Sequence, residues 1–244
     1  MKKWLRSVLI GIGVLVVISI VLNVIGRPGS SIPADAGAFI TANPFDLSQI
    51  RSISAFRSCE GHNFSGDNAL GEEETYRTMK HYVEAIGSLA DTEQRVKIFA
   101  PFTGRISQIG KDRRGSQAYV SPESGGEGWD VIFFHIDLLP QFAKRGAEFS
   151  SGEHLGYANL IDAANFDISL RNFGIGRQLN DSPFLYMTDD VLAQYAGVGI
   201  TLDNMIISKE ARNAAPCQLA PGESGRDAFY ARSEAGKSWI TVQQ

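Results

Sequence analysis

The sequence predicts a mainly β (α+β) body preceded by one transmembrane helix. Three observations carry this. From Arg95 onward, apolar segments of four to eight residues alternate with Gly- and Ser-rich breaks, the pattern of a mostly antiparallel β domain. Residues 7–26 form one uncharged apolar run. The composition, 43% hydrophobic and 20% charged in 244 residues, is that of a chain able to build a core rather than a disordered one.

The leader comes first. About 20 apolar residues at 1.5 Å rise span the roughly 30 Å hydrocarbon layer. Lys2, Lys3 and Arg6 precede the run, which by the positive-inside rule sets the N-terminus in the cytoplasm and the body outside it. The expected location is therefore the cell membrane, single-pass, with a periplasmic or extracellular body. A cleaved signal peptide is the rival reading, but its apolar region runs about 7–15 residues before a small-x-small site. Here the run is longer, and Ala34, Ala36 and Ala38 come only after GRPGSSIP.

Charge follows the same division. Four of the 23 basic residues lie before the first acidic one, Asp35, which leaves 19 bases against 27 acids, or −8, downstream. So acidic a body gives nucleic acid no general attraction. Residues 27–46, with Pro28, Pro33 and Pro44, read as a stalk. The domain is expected over 47–215, with a polar, irregular tail over 216–244.

Within the body, Tyr76, Met79, Val83 and Ile86 recur at helical spacing, and Glu72, Glu73 and Glu74 would suit a helix N-terminus. The spacing predicts a helix over 71–89, with His81 a surface or packing residue. Strands are expected in RVKIFAPF, RISQIG, QAYV, WDVIFFHI and NFDISL, the last closing the core. Residues 144–157 read as a hairpin turning at Gly152, where glycine tolerates a positive φ. A helix is expected over 188–195, capped by Thr188 and stopped at Gly197.

Cys59 and Cys217 are the only cysteines. In a body outside the cytoplasm an even pair predicts one disulfide, tying an early loop to the tail. The alternative, Cys59-x-x-His62 as half a metal site, has no second half in the sequence.

Four stretches, IFAPFTGRISQIG, WDVIFFHIDLL, KRGAEFSSGEHLGYA and NFDISL, together resemble the lysostaphin-type peptidoglycan metalloendopeptidases over roughly residues 95–170. Ala100-Pro101 and Gly104 match the first element, Phe133, His135 and Leu138 the second, and Gly146, Gly152 and Gly156 the third. The resemblance implies a barrel-sandwich hybrid with a duplicated hybrid motif. It also implies a zinc site: His62 and Asp67 as metal ligands, and His135 as the catalytic residue assisting the bound water. Where the family carries a final HLH, this chain has Ala163, Ala164 and Asn165, and Asn165 with Asp167 would line the old groove. The resemblance therefore implies a degenerate site, with no cofactor expected and zinc the possible exception.

Lipoyl and biotinyl carriers share this hybrid fold but need a lysine at a hairpin tip, which is missing here. Membrane-fusion adaptors insert a heptad coiled coil, also missing. The expected function is a membrane-anchored, non-catalytic envelope module whose partner is a cell-wall peptide or glycan, or an envelope protein. The alternatives are an active, atypical zinc endopeptidase and an adaptor subunit of an envelope transport complex.

Overall fold

The computed structural model describes residues 37–174, 177–234 and 236–243. The expected membrane helix over 1–26 and most of the stalk lie outside the described residues. Among the described residues no helix is long and apolar enough to cross a membrane.

The body is mainly β. The central path of its sheet begins with β1 (Ile50–Ser54) and β4 (His81–Ala85), followed by β11 (Phe166–Gly174) and β8 (Trp129–Leu138). It continues through β7 (Ser116–Pro122) and β6 (Gly104–Lys111) to β9 (Glu148–Phe149). Off this path, β10 (His154–Ala158) pairs with β8 and with β5 (Lys97–Phe99), while β12 (Arg177–Asp181) pairs with β11. Two short strands, β2 (Gly66–Asn68) and β3 (Glu73–Glu74), extend that flank. The pairing is antiparallel as expected, except that β2 runs parallel to β12.

Period-2 alternation builds the two faces of the sheet. Trp129, Val131 and Phe133 of β8, and Phe166, Ile168 and Leu170 of β11, point into the main apolar core. Ile132 and Phe134 point to the opposite face, where a smaller cluster forms with Phe56, Phe64 and Met79. The residues between them on β11, Asp167, Ser169 and Arg171, share that second face and are all buried.

Three expectations need correction. Residues 71–89 are not a helix: they hold β3, β4 and a single 3-10 turn at Gly87–Leu89. Val83 and Ala85 face the core while Tyr82 faces away, a strand's alternation, and β4 gains partners on both sides, β1 and β11. Glu74 does not serve a helix terminus. It is buried between Arg57 and Arg77, at 2.7 and 2.8 Å. Tertiary pairing outweighs the local helical spacing here.

Second, β9 and β10 do not form a hairpin. Gly152 turns between them with φ +76° as expected, but β9 pairs with β6, and β10 with β5 and β8. Third, the sheet does not close at β11. β12 follows it, and β13 (Trp239–Thr241) adds to β1 from within the expected irregular tail. The helix expected after Thr188 is present as α1 (Asp189–Ala196), ending at Gly197, and two short helices follow, α2 (Leu202–Met205) and α3 (Lys209–Ala214).

The expected disulfide is present, joining Cys59 to Cys217. Beyond it, backbone bonds from Asn63 N–H to Ala228 O, Asp227 N–H to Asn63 O and Tyr230 N–H to Gly61 O lay the tail along residues 61–63. The tail thereby packs against the site described next.

Candidate functional site: a cluster centred on a buried lysine

His62, Lys80, His135 and Asp167 meet on the second face of the sheet. Tyr82 reaches that face by the alternation of β4, Lys80 comes from the position just before the strand, and Asp167 lies opposite Tyr82 in register. His135 arrives differently. In β8, Phe133 and Ile136 both pack into the main core, so one extra residue lies between them, and the register with β7 shifts at this point. His135 takes up the bulge with φ +58°. Such a left-handed residue costs about 1–2 kcal/mol without glycine. The bulge turns the imidazole from the core to the groove, as bulges beside sites commonly do.

Five contacts organise the centre. Lys80 Nζ lies 2.6 Å from Asp167 Oδ2 and 3.2 Å from His62 Nε2. His135 Nε2 stands 3.9 Å from the same Asp167 oxygen, and its Nδ1 is 3.2 Å from Asp112 Oδ2. The other imidazole, His62, presents Nδ1 to Asp227 Oδ1 on the tail at 3.4 Å. Lys80 and Asp167 are nearly sealed from solvent, at 2% and 1% exposure. The ammonium also sits among three rings, 4.6 Å from the Tyr82 centroid, 4.9 Å from Phe64 and 5.0 Å from Phe134. Ring faces attract a cation, more strongly once it has left water.

Protonation follows from the donors. An ammonium has only N–H groups to offer, so His62 Nε2 accepts and its proton resides on Nδ1, facing Asp227. Burial, and then the neighbouring Lys80 charge, lower the His62 pKa below its ordinary 6.5 and keep the ring neutral. Gly61 makes this placement possible. It has φ +66°, and a Cβ there would lie 2.2 Å from the Tyr82 hydroxyl oxygen, which itself accepts the His62 backbone N–H at 3.3 Å.

The other sequence-derived candidates lie elsewhere. Asp67 is on β2, its backbone paired with Glu73 and Leu179, and the His62 ring contacts Lys80, Tyr82 and Asp227. Asn165 is half-buried just before β11. Among the described residues, no three or more His, Cys, Asp or Glu side chains are grouped to hold a metal ion. The residues at the centre do not fit one either. A zinc site needs about three neutral or anionic donors and an open position, whereas Lys80 fills the space between His62 and Asp167 with a fixed positive charge.

Sequence reasoning missed Lys80, Asp112 and Asp227. Lys80 falls inside the stretch expected to be helical, and Asp112 sits in the β6–β7 turn, where nothing local marks it. Asp227 had one available signal: a Cys59–Cys217 bridge necessarily brings the tail towards His62.

Some solved structures are partly similar to this chain. No family model matches the chain, and no curated protein does. The glycyl-glycine endopeptidase LytM of Ruminococcus gnavus aligns over 43% of each chain, at 12% identity and TM-score 0.34. A zinc-containing peptidase of Vibrio cholerae aligns over 59% of this chain and 39% of its own, at 12% identity and TM-score 0.38. A chain of the SpoIIQ–SpoIIIAH pore-forming complex aligns over 62% of this one and 91% of its own, at 10% identity and TM-score 0.41. The chain is similar to lysostaphin-type peptidases. It spans less than half the length of the first two structures.

Proposed function

We propose that this chain is a membrane-anchored cell-envelope protein, its body outside the cytoplasm, whose peptidase-like groove binds a ligand and does not cleave it. In this reading the sheet is a barrel-sandwich hybrid that has kept its groove and lost its metal. The observation that carries the reading is Lys80, whose ammonium lies 2.6 Å from Asp167 and 3.2 Å from His62. A buried cation at that point repels a second one and takes up the lone pairs that a zinc ion would need. Ala163, Ala164 and Asn165, where the resembled family has HLH, support the same conclusion. The charged leader and the Cys59–Cys217 bridge support a body in an oxidising compartment. The occupant is a cell-wall peptide or glycan, or an envelope protein.

Metal analysis tests this directly. The full chain in detergent, incubated with micromolar zinc and desalted, is expected to retain far less than one equivalent and to leave murein peptides intact while co-sedimenting with sacculi. Stoichiometric zinc that is lost in His62→Ala, together with peptide hydrolysis, would establish the atypical endopeptidase instead. A stable envelope-protein partner without wall binding would favour the transport adaptor.

A further inference from the structure

We propose that Arg171 anchors a carboxylate subsite in this groove. The inference rests on the reading of the groove as a binding surface and names the chemistry of its ligand. Asp167, Ser169 and Arg171 are successive residues on one face of β11, and each has a buried polar atom without a hydrogen-bond partner among the described residues: Asp167 Oδ1, Ser169 Oγ, and Nε and Nη2 of Arg171. Asp167 already holds Lys80 through its other oxygen. Nε and Nη2 of Arg171 have no such hydrogen-bonding partner among the described residues. Arg171 is 7% exposed, and burial pushes its guanidinium down from 12.5 to about 9, still charged at neutral pH.

The geometry of the unpaired edge specifies what it would take. The Phe64 ring lies 4.1 Å from Arg171 Cζ and the Phe134 ring 5.3 Å away, so stacking fixes the plane of the fork. The Nε and Nη2 edge offers two parallel N–H donors, the match for the two oxygens of a carboxylate. Around it stand Asp167, Asp227 and Arg226. Two acids beside one further base disfavour a dianion such as phosphate more than a singly charged carboxylate. Beside it, Tyr119 packs on the half-exposed Phe173 at 5.7 Å, an apolar rim for the body of the ligand. A peptide terminus, an acidic side chain and a sugar acid all present this group.

The test uses the ¹⁵N-labelled full chain in detergent, with the Arg171 Nε–Hε resonance as reporter. The probes are N-acetylphenylalanine, its amide and inorganic phosphate. A saturable shift with the acid is expected, with the amide and phosphate binding at least about tenfold more weakly. Arg171→Lys, which keeps the charge but not the fork, should weaken calorimetric binding of the acid by about tenfold or more, and Arg171→Met should abolish it. No saturable shift at millimolar acid, equal binding of the amide, or equal binding of phosphate would each overturn the proposal. So would unchanged affinity in a folded Arg171→Lys protein. Zinc uptake and hydrolysis, the results that would defeat the non-catalytic reading, do not depend on Arg171, so the two failures are distinguishable. Acetylated tripeptides and glucuronic acid as further probes separate peptide from sugar-acid sources.

Discussion

Lys80 carries one charge where a divalent ion carries two, and it reaches Asp167 and His62 without leaving the protein. Its value to the fold is conditional on its partner, because a buried ion pair gains little over apolar packing, whereas half of one is expensive. Lys80→Met should therefore destabilise the chain by about 3–5 kcal/mol, since Asp167, 1% exposed, is left as a buried charge without its cation. Lys80→Met with Asp167→Asn should recover most of that loss. Urea unfolding of the two variants and the wild type checks both statements. A Lys80→Met protein within about 1 kcal/mol of wild type would show that the ammonium does not hold the groove together.

At the scale of elements, β4 concentrates both the chemistry and the misreading. His81, on its core-facing side, is fully buried: Nδ1 meets the Ser54 carbonyl oxygen at 2.8 Å and Nε2 the Ser182 hydroxyl at 2.7 Å. A carbonyl can only accept, so the neutral ring carries its proton on Nδ1, and Nε2 accepts from Ser182. Burial lowers its pKa from 6.5 to about 4. A depressed histidine pKa means that the unfolded chain binds the proton more readily, so stability falls as pH drops from 6.5 towards 4 and is level above that window. The full loss is about 3 kcal/mol for His81, and the lowered pKa of His62 adds in the same direction. Urea midpoints at pH 7, 5.5 and 4.5 should decline accordingly, with a shallower slope in His81→Asn; an unchanged slope would assign the pH dependence to other groups. The strands β5 to β8 and β11 were legible because alternation and Gly-rich breaks are local signals. β4 was not, because Tyr76, Met79, Val83 and Ile86 imitate a helical stripe while its strand character comes from β1 and β11. His135 and Asp167 were legible from the motif that contains them. Lys80 was not, since only tertiary pairing can bury a lysine.

Across the whole molecule, the groove is assembled from segments far apart in sequence, and the Cys59–Cys217 bridge holds its tail wall. The bridge spans 158 residues, for which the chain-entropy model gives about 5 kcal/mol of stabilisation. The sheet core does not pass through it: β4, β11 and β8 pair with one another, and the bridge packs in a small separate cluster with Tyr230. Arg212 Nη1 contacts Cys59 Sγ at 2.9 Å, so the bridge also positions α3. Reduction should therefore lower the melting temperature and release the tail before the sheet. In hydrogen exchange under reducing conditions, protection is expected to drop first at Asn63, Asp227 and Tyr230, whose N–H groups bond across the tail contact, with β8 and β11 still protected. His62 Nδ1 would then lose its 3.4 Å contact with the Asp227 carboxylate. Carboxylate binding at Arg171 should weaken in the Cys59→Ser/Cys217→Ser protein, because Phe64, which fixes the guanidinium plane, follows directly on residues 61–63 of the released contact. Simultaneous loss of protection in tail and sheet would instead make the bridge part of one cooperative unit with the core.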